Sequence, residues 1–276
     1  MGAFYETIPA SLIKWILAQK VFWVASAPLS GDGHVNVSPK GGQYFGVIDE
    51  RTFWYMDLTG RCISGNETIS HLHEPGNSRI TIQFNAFDGP PKIVRLWGKG
   101  RALENDTAAY NDFIATHKVQ TLPGSRSIVI VDVHQVGSSC GFSVPFYDFR
   151  EFRPVLNNFF EKKKEKFDAG NHEESMDRYW AYKNAWSMDG LPGMRRALVA
   201  AKEEGVAPIK KMVGPWAPKR YQDGRGFTVE QVLIISLMSF MLGMALVVYG
   251  PLASEHLPIQ ALDMTVVRSM LAPGRS

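Results

Sequence analysis

Residues 22–100 decide the fold, because short strand-like runs alternate there with turn-forming residues. The stretch contains FWVASAPL (22–29), GDGHVNVSPKGG (31–42), TFWYMDLTGRCISGNETISHL (52–72) and RITIQFNAFDGPPKIVRLWGKG (79–100). Val, Ile, Phe, Trp and Tyr fill the runs, whereas Gly, Pro, Asp and Asn fill the gaps, which is typical of a meander of β-strands. The stretch therefore predicts a sheet built from consecutive strands.

The gaps also carry side chains that could hold an anionic, hydrogen-bonding ligand against a sheet. These are Asn36, Ser38, Lys40, Ser64, Asn66, Glu67, Thr68 and Arg95. Lys40 precedes two glycines, which would let the backbone and the ammonium group approach a flat ligand closely. An exposed hairpin lysine is an equally good interpretation. Arg95 shares a strand face with apolar neighbours. It therefore either lies at a ligand or an interface, or packs the aliphatic part of its side chain while the guanidinium group reaches water.

Residues 64–67 (SGNE) fit the S-x-x-E capping box and predict a short helix over 68–72. The free N–H groups and the positive dipole end of such a helix can receive a phosphate. Capping boxes without a ligand are the commoner case, so the motif alone does not identify a site.

The rest of the chain predicts helices around a further strand. The predicted helices cover 9–20, 104–117, 155–167, 173–186 and 193–205, the strand covers 127–136, and a basic linker without periodicity covers 206–227.

An uncharged run near the C-terminus predicts one transmembrane helix. Residues 232–249 read VLIISLMSFMLGMALVVY, and extension to residue 253 gives about 30 Å of helix, the thickness of the hydrocarbon core of a bilayer. The basic residues before the run predict a cytosolic N-terminal side. We therefore expect a single-pass membrane protein with a cytosolic N-terminal domain and lipid as the partner of residues 232–253. The alternative is a buried helix of the globular domain, and the sequence does not identify the organelle.

Composition narrows the class of protein further. The net charge of +3 argues against nucleic-acid binding, which needs a clustered basic face. The two cysteines, Cys62 and Cys140, suit a reducing compartment and offer no metal-ligand spacing. Cys140 is expected to be a buried core residue rather than a reactive thiol. His34 is expected to face solvent rather than to act as a base.

With these residues in view, the region from 22 to about 145 resembles the pyridoxamine 5'-phosphate oxidase-like flavin-binding split-barrel family. The segments that carry the resemblance are VASAPLSGDGHVNVSPKGG, YMDLTGRCISGNETISHL, RITIQFNAFDGPPKIVRLWGKGR and IVIVDVHQVGSSCGFSVPFYDF, and KNAWSMDGLPGM is similar to the tail of a bacterial and fungal subgroup. The resemblance implies an α+β fold, an antiparallel six-stranded split β-barrel with flanking helices. It also implies a homodimer that binds flavin mononucleotide (FMN) between its subunits. Related barrels use deazaflavin or haem, which remain alternatives.

The resemblance also implies a set of cofactor-binding residues. They are Asn36, Val37, Ser38, Lys40, Tyr55, Met56, Asp57, Ser64, Asn66, Thr68 and Arg95. Vitamin B6 oxidases have Ser-Arg-Lys at the phosphate loop, where this chain has Ser-Gly-Asn (64–66). The phosphate is therefore expected to rest on neutral donors and Lys40. No catalytic side chain and no metal ligand is identified.

The expected organisation is a split-barrel domain (1–150), a helical extension (151–205), a basic linker (206–227), a transmembrane helix (228–253) and a short tail (254–276). The expected function is that of a membrane-tethered FMN-dependent oxidoreductase acting on a small-molecule substrate or electron donor. The alternatives are a split barrel without catalytic activity that binds a cofactor or serves as a scaffold and, third, a haem-binding barrel.

Overall fold

A computed structural model describes residues 2–60, 66–218, 233–234 and 236–244. The chain divides into two compact units, 1–222 and 223–276, and the sheet and helices named here belong to the first. The strands are β1 (Ala3–Tyr5), β2 (Val21–Ser26), β3 (Asn36–Gly41), β4 (Phe45–Asp49), β5 (Thr52–Leu58), β6 (Arg79–Asn85), β7 (Ile93–Glu104) and β8 (Ser125–Ser139). The helices are α1 (Ala10–Ala18), α2 (Glu67–His73), α3 (Ala108–His117), α4 (Val155–Asp168), α5 (Met176–Asn184) and α6 (Arg195–Glu203), with a 3₁₀ turn at His172–Glu174.

The strands form one antiparallel sheet in the order β3-β2-β6-β7-β8-β5-β4, and β1 pairs with β8. The α+β class and the antiparallel sheet are confirmed, but the expected number of six strands is wrong, since the described part of the chain has eight. One of the two additional strands, β1, has a physical reason in the length of β8. Along one edge of β8, β5 pairs only as far as Asp132, and β1 pairs with the backbone from Val136 to Ser138 beyond it.

Alternating side chains place the core on one face of the curled sheet. In β2, Phe22 and Val24 are buried while their neighbours are partly exposed, and β6 buries alternate residues in the same way. This period of two is the reason that the run folds as half-buried strands. Helix α1 adds Leu12 and Ile16 to the same core.

The helical extension has a small core of its own. Trp180, Ala185, Met194 and Ala197 pack together between α5 and α6. The Trp180 indole N–H donates to Thr59 Oγ1 in the barrel at 2.9 Å, so the extension is attached to the sheet. The helices predicted over 155–167, 173–186 and 193–205 match these elements to within a few residues.

Among the described residues, no helix is both long enough and apolar enough to cross a bilayer. This finding contradicts the transmembrane helix predicted over 228–253, and the predicted membrane location is wrong. Of the predicted span, the structure describes residues 233–234 and 236–244. The rest of the predicted span lies outside the described residues.

Cys140 also departs from expectation, because its side chain is exposed rather than buried. It lies directly after the end of β8, where the alternation that buries every second residue has stopped. Cys62 lies outside the described residues.

Candidate functional site

A cavity of about 380 Å³ opens where the curled sheet fails to close. Strand β3 is one edge of the sheet, and β4 at the other edge pairs with β5 only as far as Tyr55. The last residues of β5 are therefore free to face β3 across the opening. The lining residues are Asn36, Val37, Ser38, Pro39, Lys40, Gly41, Met56, Leu58, Gly60, Glu67, Thr68, Arg126 and Leu156.

The cavity has a polar wall and an apolar wall. On β3, Asn36, Ser38 and Lys40 are the partly buried members of the alternation, because residues two apart share a strand face. Met56 and Leu156 supply apolar surface to the same cavity. Such a pairing of an apolar surface with a few polar groups is typical of small-molecule sites.

A buried ion cluster ties the two sides of the opening together. Lys40 Nζ donates to Asp57 Oδ1 at 2.8 Å, while Arg126 donates to Asp57 Oδ2 from Nε at 2.8 Å and from Nη2 at 2.6 Å. Burial alone would raise the pKa of the Asp57 carboxyl, but Arg126 and Lys40 outweigh burial and hold the pKa below its usual value. Asp57 is therefore an ionised carboxylate that binds both cations.

Arg126 is the functional residue that the sequence interpretation missed. Its side chain is 1% exposed, and its Nη1 atom has no hydrogen-bond partner within the described residues. A buried guanidinium N–H without a partner is unusual, because desolvating it is costly. Since Arg126 lines the cavity, this donor is available to an anionic or carbonyl-bearing ligand. An Arg at the start of the apolar run SIVIVDV was the signal for it, since charged residues are rarely buried without a partner.

Helix α2 begins differently from the predicted capping box. Its N-cap is Asn66, which makes no side-chain capping hydrogen bond, and the helix starts at Glu67 rather than at Thr68. Glu67 bonds to Met188 and Lys211 of the C-terminal segment instead of reaching back to the cap. Ser64 lies outside the described residues.

The structure brings some of the predicted cofactor residues together and leaves others elsewhere. Asn36, Val37, Ser38, Lys40, Met56 and Thr68 line the cavity. Tyr55 is buried in the main core, although Lys40 Nζ lies 5.9 Å from its ring centroid. Arg95 does not line the cavity; its Nη1 donates to Ser139 at 3.4 Å.

Asn66 is also buried, and it sits behind the cavity against the C-terminal segment. A Cβ on Gly193 would lie 1.6 Å from Asn66 Nδ2, so only glycine allows this segment to approach α2 so closely. His34 faces solvent as expected, with its side chain 45% exposed, and its Nδ1 lies 2.6 Å from Asp189 Oδ1. Residues 183–194, which resemble the tail of a family subgroup, thus pack against the site.

The cavity residues fit a flavin on two grounds. The unpartnered Nη1 of Arg126 is a buried donor suited to a phosphate or a ring carbonyl oxygen. Asn36 and Ser38 offer neutral hydrogen-bonding groups in the same cavity, and the apolar lining residues suit a planar ring.

The chain is 37% identical over 206 residues to the pyridoxamine 5'-phosphate oxidase family protein ustO of Aspergillus flavus, and this match covers 72% of the chain and 80% of that relative. The chain belongs to the pyridoxamine 5'-phosphate oxidase family. It matches no family model.

Likenesses to known structures are weaker. HupZ of Group A Streptococcus is 18% identical and covers 47% of this chain and 92% of that protein, with a TM-score of 0.34. The FAD binding protein of Mycobacterium smegmatis is 14% identical and covers 49% of this chain and 97% of that protein, with a TM-score of 0.32. At these TM-scores the likenesses support no argument about this protein.

Proposed function

We propose that this protein binds a flavin, FMN in the first instance, in the cavity between β3 and β5 and works as a flavin-dependent oxidoreductase. The observation that carries the proposal is the buried, unpartnered Arg126 Nη1 in a cavity with one polar wall and one apolar wall. Membership of the pyridoxamine 5'-phosphate oxidase family supports it. The flavin would supply the hydride or electron chemistry when bound.

The roles of the protein's own residues in this proposal are binding and orientation. Ser38 and Asn36 on β3 would hydrogen-bond the polar edge of the ligand, and Arg126 would hold its anionic or carbonyl oxygen. Asn36 is itself oriented by donating from Nδ2 to Thr68 Oγ1 at 3.2 Å. Asp57 would hold the Arg126 and Lys40 side chains in place.

The test is a visible absorption spectrum of the full-length protein as isolated, followed by titration with FMN. We expect a flavin spectrum or saturable FMN binding, and oxidation of reduced nicotinamide by the loaded protein. A folded protein that is colourless and does not bind added FMN would refute the proposal. A haem Soret band in place of flavin absorbance would identify haem, not flavin, as the cofactor. FMN binding without turnover would support a binding protein instead of an enzyme.

A pair of variants locates the site. Ser38→Leu removes a hydroxyl and narrows the cavity, and we expect it to weaken FMN binding about tenfold, because one neutral hydrogen bond contributes about 1 kcal/mol and the added bulk increases the loss. Ser139→Leu changes a serine that contacts Arg95 outside the cavity, so FMN binding should be unchanged. Equal effects of both variants would contradict this placement.

The homodimer stays a prediction. Exposed aromatic side chains after β8 are candidates for its contact surface: Phe142, Phe146, Tyr147, Phe149 and Phe152. The substrate or electron donor is likewise open.

A further inference from the structure

The described part of the predicted linker, residues 206–218, contacts helix α5 of the extension and helix α2 beside the cavity. The backbone N–H of Ile209 donates to Tyr182 O at 2.9 Å. The Lys211 ammonium group then lies 3.4 Å from Glu67 Oε1, with the two side chains 3% and 6% exposed. A lysine is rarely buried to this extent unless it is paired, so the contact is a specific one.

Glu67 is held entirely by the C-terminal part of the chain. Its Oε2 accepts from the Met188 backbone N–H at 2.9 Å, and its Oε1 faces Lys211. Because Glu67 also lines the cavity, it connects Lys211 to the ligand-binding space. Lys211 itself is not a lining residue, and it acts through Glu67.

The charge balance of the cavity depends on this lysine. Among the described residues, Lys40 and Arg126 supply two positive charges, and Asp57 and Glu67 supply two negative charges at the cavity or in direct contact with it. Without Lys211 this set is neutral, and with Lys211 it carries a net positive charge. In a partly buried site such a charge acts over several ångströms with little screening.

We propose that Lys211 determines the ligand specificity of the cavity, by neutralising Glu67 so that a phosphorylated planar ligand is preferred to the same ring without phosphate. The inference rests on the proposed flavin function and deepens it. It assigns a role to the C-terminal segment, which would otherwise be only a structural attachment.

The charge of Lys211 depends on its contact with Glu67. Burial lowers the pKa of the ammonium group, Glu67 opposes the shift, and the positive charge of Arg126 lowers the pKa further. Glu67 therefore stabilises the charged form of Lys211 from 3.4 Å away.

The test compares the affinities of the full chain for FMN and for riboflavin, which lacks the phosphate, in three variants. Lys211→Met removes the charge and keeps an unbranched side chain. Lys211→Arg keeps the charge, and Lys210→Met removes an exposed charge from the neighbouring position. We expect the ratio of riboflavin Kd to FMN Kd to fall about tenfold in Lys211→Met, since neutralising one partly buried charge changes a neighbouring charge interaction by about this factor. The ratio should be preserved in Lys211→Arg and Lys210→Met.

The outcomes separate the possible failures. Lys211→Met could leave the ratio of riboflavin Kd to FMN Kd unchanged, including by weakening the binding of both ligands equally in a folded protein. Lys211 would then be only structural and the inference wrong, while the flavin function would stand. A second readout covers a wild-type protein that binds no flavin. Inorganic phosphate should then raise the Tm of the wild-type protein and of Lys210→Met more than that of Lys211→Met. Equal shifts in all three would overturn the inference, the proposed function having already been refuted by the absence of flavin binding.

Discussion

Two buried carboxylates, Asp57 beside the cavity and Glu104 at the junction with the helical extension, are held by different kinds of donor. Among the described residues, the Asp57 carboxylate accepts from two side-chain cations, Arg126 and Lys40. At the junction, Glu104 accepts from the backbone N–H groups of Arg195 and Arg196 at 2.9 and 3.2 Å.

The difference separates a binding arrangement from a docking arrangement. A backbone N–H has a single hydrogen, so the two N–H groups that bind Glu104 have no donor left for a ligand. A guanidinium has five N–H donors, and the Asp57 contacts leave Arg126 Nη1 without a partner in the described structure. The Asp57 cluster therefore keeps donor capacity that the Glu104 contacts do not.

Asp57→Asn should cause the largest loss of stability, because it leaves the buried Arg126 guanidinium without its counter-charge. Removing one partner of a buried ion pair lowers the free energy of unfolding by about 3–5 kcal/mol. Urea unfolding followed by tryptophan fluorescence measures the change.

The matched control for this variant is Asp132→Asn. Asp132 accepts from Arg101 at 2.7 Å, but both side chains are more than half exposed. Such a surface pair contributes about 0–1 kcal/mol. Similar losses in Asp57→Asn and Asp132→Asn would show that burial of the cavity cluster does not matter.

Glu104→Ala tests the junction and should have a smaller effect. It removes the acceptor for two backbone N–H groups at the start of α6, which is a capping interaction worth about 1–2 kcal/mol. We expect that loss in urea unfolding and faster proteolysis of the extension, with FMN affinity unchanged. Glu203→Ala removes a carboxylate 55% exposed that pairs with the same Arg196 and should change stability little. Loss of FMN binding in Glu104→Ala would contradict the assignment of Glu104 to attachment of the extension and not to ligand binding.

The sequence was sufficient for the parts of the fold that follow from periodicity. The alternation in β2 and β6 and the apolar spacing of the helices predicted where most elements lie. The β1–β8 pairing could not be predicted from periodicity. Strand β1 has only three residues, too few for a pattern, and its pairing depends on the free edge of a strand that is distant in sequence.

For the candidate site, local sequence located β3 and the start of α2 but not the charges that meet between them. Arg126 and Asp57 are 69 positions apart, and Lys211 and Glu67 are 144 apart, so no spacing rule connects them.

The smallest effect on stability is expected from the titration of His71, which is a buried group without a charged partner. His71 Nδ1 shares a hydrogen bond of 2.9 Å with Ser26 Oγ, and its Nε2 has no partner among the described residues. Burial lowers its pKa, and the charge of Arg79 acts in the same direction, against the opposing influence of Glu67, Asp189 and Glu74.

The sign of the pH dependence follows from this shift. In the unfolded chain His71 binds a proton near pH 6.5, its ordinary value, whereas the folded protein binds it only at lower pH. Just below pH 6.5 the unfolded state holds more protons, so stability falls with decreasing pH, by at most about 1.4 kcal/mol per pH unit for one group. Asp57 would act in a different window, nearer pH 4, because its carboxyl pKa is lowered from an acidic value.

Urea unfolding between pH 7 and pH 5 measures this slope. His71→Asn keeps a group that can bond to Ser26 but cannot titrate, so its slope should be shallower than that of the wild-type protein whatever its stability at pH 7. His134→Asn, at an exposed position on β8, should retain the wild-type slope. If His71→Asn retains the wild-type slope too, the pH dependence of stability arises from another group.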